Sequence, residues 1–475
     1  MTLTTPTADD LATLEAIAGG GLASESPDAA RYFEEPRGLF RGGAAAILRP
    51  ATTEAVAVIV RHCNARRIGI IPYGGGTGLV GGQVAALSPP AVLLSLERMN
   101  RIREVRTGES ALVAEAGVTL AAAQEAAEAA GRLFPLSLAS EGSCQVGGNL
   151  ATNAGGTQVL RYGNARDLCL GVEAVLADGS VLKGPSTLRK DNTGYDLRNL
   201  LIGSEGTLGI ITAAALRLFP RPRQTVTAML TVPGPEEAVA LLHHMQDRLG
   251  DTVTTFEILN GTGPEFLAEH FPEITDPLDG APPWRVMMEA GSGAQGDLAE
   301  ACETAFGEAF EAGLATDGVI AASEAQRAHM WHIRETIPEA NRRVGVVSSH
   351  DISVPVSRIP AFIAEADRAV AAVVEGLRIN CFGHLGDGNL HYNVFPPKGR
   401  SRDDFRNVRV AIKDAVYDLV AKHGGSFSAE HGLGRLKLED LTRHGDPAKI
   451  AAMRAIKAAM DPNGILNPGA VVPAP

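Results

Sequence analysis

Apolar residues recur along this chain with two periods, and the change from one to the other marks out its elements. Val56, Ile59, Val60 and Cys63 fall at i, i+3, i+4 and i+7, which predicts an amphipathic helix over 53–66. Leu11, Leu14 and Ile17 predict a shorter one near the start. Residues 68–71 and 91–96 are continuous apolar runs of strand length, bounded by Gly and Pro. A helix over 120–130 should stop at Gly131, which can take the left-handed conformation of a helix C-terminus. Residues 171–184, GVEAVLADGSVLKG, read as a hairpin turning at Asp178-Gly179. Residues 200–219 form a further strand-rich segment, after which Pro220 and Pro222 punctuate a domain boundary.

Beyond residue 225 the texture changes to long helices between strands. The pattern predicts strands at 226–232 and 284–290 and helices at 236–249, 297–312, 324–339, 356–375 and 403–423, with a hairpin over 378–395. Such an order suits an α+β domain around a mostly antiparallel sheet. The tail holds one more helix and then DPNGILNPG. The expected division is 1–222, 223–432 and a C-terminal segment 433–475 that returns to the first domain.

Composition narrows the class. The 475 residues are 45% hydrophobic and 21% charged, enough for two cores of ordinary domain size. The net charge of −12 argues against nucleic acid or an anionic membrane as partner. Five cysteines without a CxxC pair point to a reducing compartment. The start lacks the basic and apolar regions of a signal peptide, and no run approaches the ~18 apolar residues of a membrane span. A soluble cytoplasmic protein is the expectation; a homodimer is compatible with the sequence, which does not set the oligomeric state.

The stretch IPYGGGTGLVGG, 71–82, concentrates six glycines within nine residues. So much backbone freedom makes a nest of N–H donors suited to a pyrophosphate. Gly76, Gly78 and Gly81 also match the G-x-G-x-x-G dinucleotide fingerprint, with Glu97 placed as if for a ribose. A nicotinamide site needs a crossover helix before the next strand, and Gly82, Ser88, Pro89 and Pro90 leave no room for one. The phosphate reading survives without the nicotinamide fold. Two further clusters, GSCQVGGNLATNAGG at 142–156 and KDNTGYDLRNLLIGSEGTLGIIT at 190–212, make one large cofactor more economical than three coincidences.

FGHLGDGNLHYNV, 382–394, carries the second constellation. Its Gly, Asp and Asn residues make a turn that sets His384 and His391 on opposite strands, with Asn393 on the side of His391. With Glu430 beside His431, two imidazoles and a carboxylate suit Zn²⁺, Mn²⁺ or Fe²⁺ with open positions. Both histidines could instead orient substrate without a metal. Arg334, in WHIRETIPEA, is the candidate bidentate fork for a substrate carboxylate.

These motifs, in this order, resemble the D-2-hydroxyacid dehydrogenase branch of the vanillyl-alcohol oxidase flavoprotein superfamily. The branch includes D-2-hydroxyglutarate and D-lactate dehydrogenases and the glycolate oxidase flavoprotein subunit, and the resemblance runs from about residue 38 to 472. It implies a PCMH-type FAD-binding domain, an α+β substrate domain and a tail closing over the flavin. By that resemblance Pro72, Gly74, Gly75, Gly76, Thr77, Gly78, Leu79 and Gly82 hold the FAD pyrophosphate. Ser143, Gly147, Gly148, Thr152, Asn153, Gly155 and Gly156 line the ribityl chain and ring, with Glu205, Ile210 and Asn467 nearby. Relatives with covalent flavin carry a His in the pyrophosphate loop; Thr77 stands here, which implies dissociable FAD. The resemblance further implies that His384, His391 and Glu430 bind the divalent ion, that His431 is the base, and that hydride passes from C2 of a D-2-hydroxy acid to flavin N5. Many relatives have a Lys that contacts the substrate's distal end; the matching residue here is Ser349, the adjacent His350 is the candidate to supply the cation in its place, and both D-2-hydroxyglutarate and D-lactate stay open. No cytochrome or iron–sulfur motif is present, so an external acceptor such as an electron-transfer flavoprotein is expected.

Overall fold

The computed structural model describes residues 2–24, 26–38 and 40–473. They form two compact units: Met1–Gly155, Gly163–Arg221 and Glu430–Pro475 make the first, Gly156–Tyr162 and Pro222–Ala429 the second. The expected boundaries at 222 and 432 compare with 221 and 429, and the short segment 156–162 belongs to the second unit.

In the first unit, the predicted helix is Thr53–Arg66, capped by the Thr52 hydroxyl accepting from the Ala55 N–H. Its Val56, Ile59, Val60 and Cys63 are fully buried. It connects strand Ile47–Leu48 to Ile70–Tyr73, and both pair in parallel with Val92–Ser95. No helix lies between Ile70–Tyr73 and Val92–Ser95, as the Gly- and Pro-rich sequence there implies. Glu97 is bonded to Tyr32 and Arg31 instead of standing ready for a ribose. A second, antiparallel sheet has the order Ile102–Arg106, Ala111–Glu115, Ile210–Arg217, Cys169–Val175, Val181–Leu182. The segment predicted as strand-rich over 200–219 opens with the end of helix Leu197–Leu201 before reaching its strand. The tail joins this unit: Ile70 N–H donates to Ile465 O, and Asn467 N–H to Ile70 O.

The second unit is built on a seven-stranded antiparallel sheet. Its order is Asp317–Ile320, Gln224–Thr231, Trp284–Ser292, Val253–Asn260, Arg378–His384, Asn389–Phe395, Ser348–Ser353. Side chains alternate between the faces. Ala228, Phe256, Ile258, Met288 and Tyr392 pack against helices Pro235–Leu249, Leu298–Glu311, Ile359–Val373 and Arg409–Lys422. Met229, Leu259, Met287 and Phe382 face helices Thr262–His270 and Glu324–Val344. The last helix runs past its predicted end at 339 despite Pro338. The helices predicted over 356–375 and 403–423 begin as short 3-10 turns, so their α-helical parts are shorter. Among the described residues, no helix is long and apolar enough to cross a membrane.

Candidate active site

The glycine stretch leaves strand Ile70–Tyr73 and lines a groove within the first unit. Pro72, Gly74, Gly75, Gly76, Thr77, Gly78, Gly82, Gly147, Gly148, Thr152, Glu205, Ile210 and Asn467 are on its walls, and so is His431. The backbones approach so closely that side chains are excluded. A Cβ on Gly75 would stand 2.1 Å from Ser143 O, and one on Gly147 would stand 2.6 Å from Ala116 Cβ. Gly76 has φ +76°, a conformation glycine takes at little cost. Gln145 Oε1 is buried on the same wall with no hydrogen-bond partner, which marks a place for a ligand donor.

The floor of this groove is fastened by residues distant in sequence. Glu205, at φ +50°, accepts from the Leu433 and Gly434 N–H groups at 2.8 and 3.0 Å. Burial pushes its carboxyl up, against the opposing pull of those two N–H groups. Asn467 donates to Gly82 O and Glu205 O. Arg435 donates to the carbonyls of Gly81, Gly82, Val84 and Pro468 and to Asn467 Oδ1. Burial lowers this guanidinium to about 10, with Glu205 opposing.

In the second unit the hairpin is strands Arg378–His384 and Asn389–Phe395, joined by the 3-10 turn Leu385–Asp387 and by Gly388 at φ +85°. The His384 and His391 rings lie 5.5 Å apart, centroid to centroid. Asn380 stands opposite Asn393 and Phe382 opposite His391 in the register, so all share the face turned to helix Glu324–Val344 with His384. Ser349 and Asp351, opposite Asn393 and His391 on the edge strand, belong to that face too. Arg334 reaches it from the helix. Its Nε donates to Glu257 Oε2 at 2.6 Å, and its guanidinium lies 4.8 Å from the centre of the Phe382 ring. Glu257 Oε1 sits 2.5 Å from His384 Nδ1. Burial alone would push the Glu257 carboxyl up; Arg334 and His384 outweigh it and hold it at about 2. Asn393 Oδ1 and Asn380 Oδ1 are buried without a hydrogen-bond partner.

His350 requires a correction. One residue on from Ser349, it points to the opposite face, where it is 1% exposed. Nδ1 meets Tyr392 O at 2.7 Å, Nε2 meets Ser348 Oγ at 3.0 Å, and the ring packs edge-on to Tyr417. The two-residue period of a strand puts it in the helix-covered core, away from Ser349 and Asn393.

Comparison with known proteins assigns the chain. Residues 44–184 match an FAD binding domain, and residues 221–471, more than half of the chain, match the C-terminal domain of FAD linked oxidases. The chain belongs to the FAD-linked oxidase family. This flavoprotein is 36% identical to a D-2-hydroxyglutarate dehydrogenase of Stutzerimonas stutzeri (strain A1501), over 98% of each chain. It is 37% identical to the mitochondrial D-2-hydroxyglutarate dehydrogenase of Bos taurus, over 98% of this chain and 84% of that one. Among solved structures, p-cresol methylhydroxylase with substrate bound aligns at TM-score 0.74 and 18% identity, covering 98% of this chain and 97% of that one. An alkyldihydroxyacetonephosphate synthase aligns at TM-score 0.72 and 17% identity, covering 98% and 86%. At such identity the two structures speak for the fold alone.

The flavoprotein's groove fits FAD: glycines line it, two of them, Gly75 and Gly147, packed too closely on the protein behind to carry a Cβ, and an unpartnered buried acceptor stands on its wall. Of the residues expected around FAD, Leu79, Ser143, Asn153, Gly155 and Gly156 are not on the groove wall. Leu79 offers its carbonyl to Arg37, Ser143 O backs Gly75, Asn153 Oδ1 accepts from the Arg166 N–H, and Gly156 falls in the second unit. Sequence reasoning overlooked Gln145, Arg435 and Glu257. A lone Glu inside the apolar run VTTFEILN was the available signal for the last, since a carboxylate is buried mid-strand only with partners.

Proposed function

We propose that this oxidoreductase converts a D-2-hydroxy acid to the 2-keto acid on dissociable FAD, with His384, His391 and Glu430 holding a divalent ion, Zn²⁺ or Mn²⁺. The observation that carries the reading is His431 on the wall of the flavin groove, 3.5 Å from Glu430 Oε1, in a chain whose substrate-domain sheet presents His384, His391 and Asn393 on one face, which Arg334 reaches from its helix. The relatives named D-2-hydroxyglutarate dehydrogenase support the hydroxy-acid class.

Bound FAD supplies a two-electron acceptor, and a divalent ion supplies a Lewis acid that lowers the pKa of a hydroxyl. The remaining work falls to side chains. Arg334 Nη1 and Nη2 make no hydrogen bond among the described residues, so the planar fork is on offer to the C1 carboxylate. Glu257 engages His384 through Nδ1, which makes Nε2 its ligand atom. Neutral His431 takes the C2 hydroxyl proton, and the C2 hydrogen leaves with its electron pair. Asn393, with its unpartnered Oδ1, and exposed Ser349 face the remainder of the substrate. With His350 turned into the core, no cation from 348–350 meets a distal carboxylate. This favours D-lactate-like monocarboxylates over D-2-hydroxyglutarate. The electrons then pass to an external acceptor, for which an electron-transfer flavoprotein is our candidate, in a cytoplasmic enzyme; a homodimer is the assembly to test by sedimentation.

The alternative of a flavin-fold transferase resembling alkyldihydroxyacetonephosphate synthase, a class with a run of adjacent histidines in its substrate domain, finds less support. The one pair of adjacent histidines, His243-His244, lies on helix Pro235–Leu249, on the sheet face opposite His384, with His244 Nε2 bonded to Ala305 O. An anaerobic titration separates the readings. D-lactate, but not L-lactate, should bleach the flavin bands; a chelator should abolish turnover, and Zn²⁺ or Mn²⁺ should restore it with the flavin still in place. Flavin bands that no D-2-hydroxy acid bleaches, or chelator-insensitive turnover without stoichiometric metal, would count against the corresponding half of the proposal.

A further inference from the structure

Glu257 enters the reaction derived above only as the partner of His384 Nδ1, yet it is the most completely enclosed carboxylate on the functional face, with a side chain 0% exposed. It sits on strand Val253–Asn260, directly opposite His384 in the register. Its two oxygens are divided between two partners: Oε2 takes the Arg334 Nε–H at 2.6 Å, and Oε1 meets His384 Nδ1 at 2.5 Å. Hydrophobic residues of similar volume often fold as well as a buried ion cluster, or better. What a carboxylate alone provides is a pair of acceptors, one for each neighbour.

We propose that Glu257 is the positioning residue that sets the substrate-carboxylate fork and the metal ligand at once. Holding Nε leaves the Nη1–Nη2 edge of Arg334 for a substrate carboxylate, while Phe382 backs the guanidinium 4.8 Å away. Accepting from Nδ1 sets the His384 tautomer whose Nε2 can ligate an ion. Glutamine in this place has one acceptor oxygen and one donor nitrogen. Turned one way, it presents N–H to Nδ1 and forces the tautomer that cannot ligate through Nε2. Turned the other way, it sets its N–H against the Arg334 Nε–H. Either orientation loses one of the two functions.

The test rests on the metal and carboxylate roles proposed above and uses holoenzyme. Zn²⁺ affinity is measured by competition with a chromophoric chelator, and pyruvate affinity by perturbation of the oxidised flavin spectrum. Glu257→Gln should keep its FAD and lose about tenfold to a hundredfold in affinity for Zn²⁺ or for pyruvate, the usual range for a partner behind a metal ligand. Glu257→Asp, which keeps the charge but falls one methylene short, should also weaken at least one of the two, and it decides the matter if the Gln variant does not fold. Wild-type affinities for both probes in either folded variant would overturn the proposal and leave Glu257 a packing residue. Wild-type enzyme that takes up no Zn²⁺ overturns instead the metal reading and with it the His384 half; the Arg334 half is then decided by pyruvate alone.

Discussion

Single residues set the groove by what they lack. Gly75 has no room for a Cβ, which would meet Ser143 O at 2.1 Å. Gly75→Val should therefore displace the loop and yield colourless protein with a folded substrate domain, read by flavin absorbance against far-UV circular dichroism. Full yellow colour in that variant would mean the cofactor's phosphates lie elsewhere. Ser349 matters through a missing charge. Ser349→Lys should shift kcat/KM toward D-2-hydroxyglutarate relative to D-lactate by up to tenfold, which needs only ~1.4 kcal/mol of differential binding. Because His350 is buried on the opposite face, the wild-type ratio should not follow imidazole protonation between about pH 6 and 8. A ratio that swings across that range would show a histidine reading the distal group.

At the level of elements, legibility followed local chemistry. The hairpin of the two histidines was readable because Gly386, Asp387, Gly388 and Asn389 are turn residues, and helix Thr53–Arg66 because its apolar spacing and Thr52 cap are local signals. Strand Ile102–Arg106 was not readable. Its sequence, IREVR, resembles a solvated segment, and only the structure shows Arg103 paired with Glu115 from the adjacent strand and Glu173 from another strand of the same sheet. Strand Val253–Asn260 was missed for a similar reason, since Glu257 belongs in a core only when Arg334 and His384, far along the chain, arrive to meet it. The end of helix Glu324–Val344 was placed too early; past Pro338 its last turn is fastened from outside, with Arg343 donating to His270 O. Long-range fastening also yields a prediction. Arg435→Ala removes five hydrogen bonds, three to the 81–84 turn and two within the tail segment, and should cost about 2–4 kcal/mol. A lowered thermal midpoint, together with FAD lost on gel filtration, is the expected result; unchanged FAD retention would show that the turn holds its shape unaided.

For the whole molecule, the order of the chain and the order of the structure differ. The flavin-binding unit begins at the amino terminus, yet its groove is finished by Glu430–Pro475, which brings His431, Arg435 and Asn467. A protein ending at Ala429 should still show helix and strand by circular dichroism but purify without flavin, and adding residues 430–475 as a separate peptide should raise its affinity for FAD. Synthesis on the ribosome carries the same arithmetic. The phosphate loop emerges early, waits through the making of an entire second unit, and gains Arg435 and Asn467 only within the last 46 residues of 475. Cofactor capture is then expected to report on translation: a chain stalled before residue 430 should stay colourless, and the yellow protein should be the one that carries its tail.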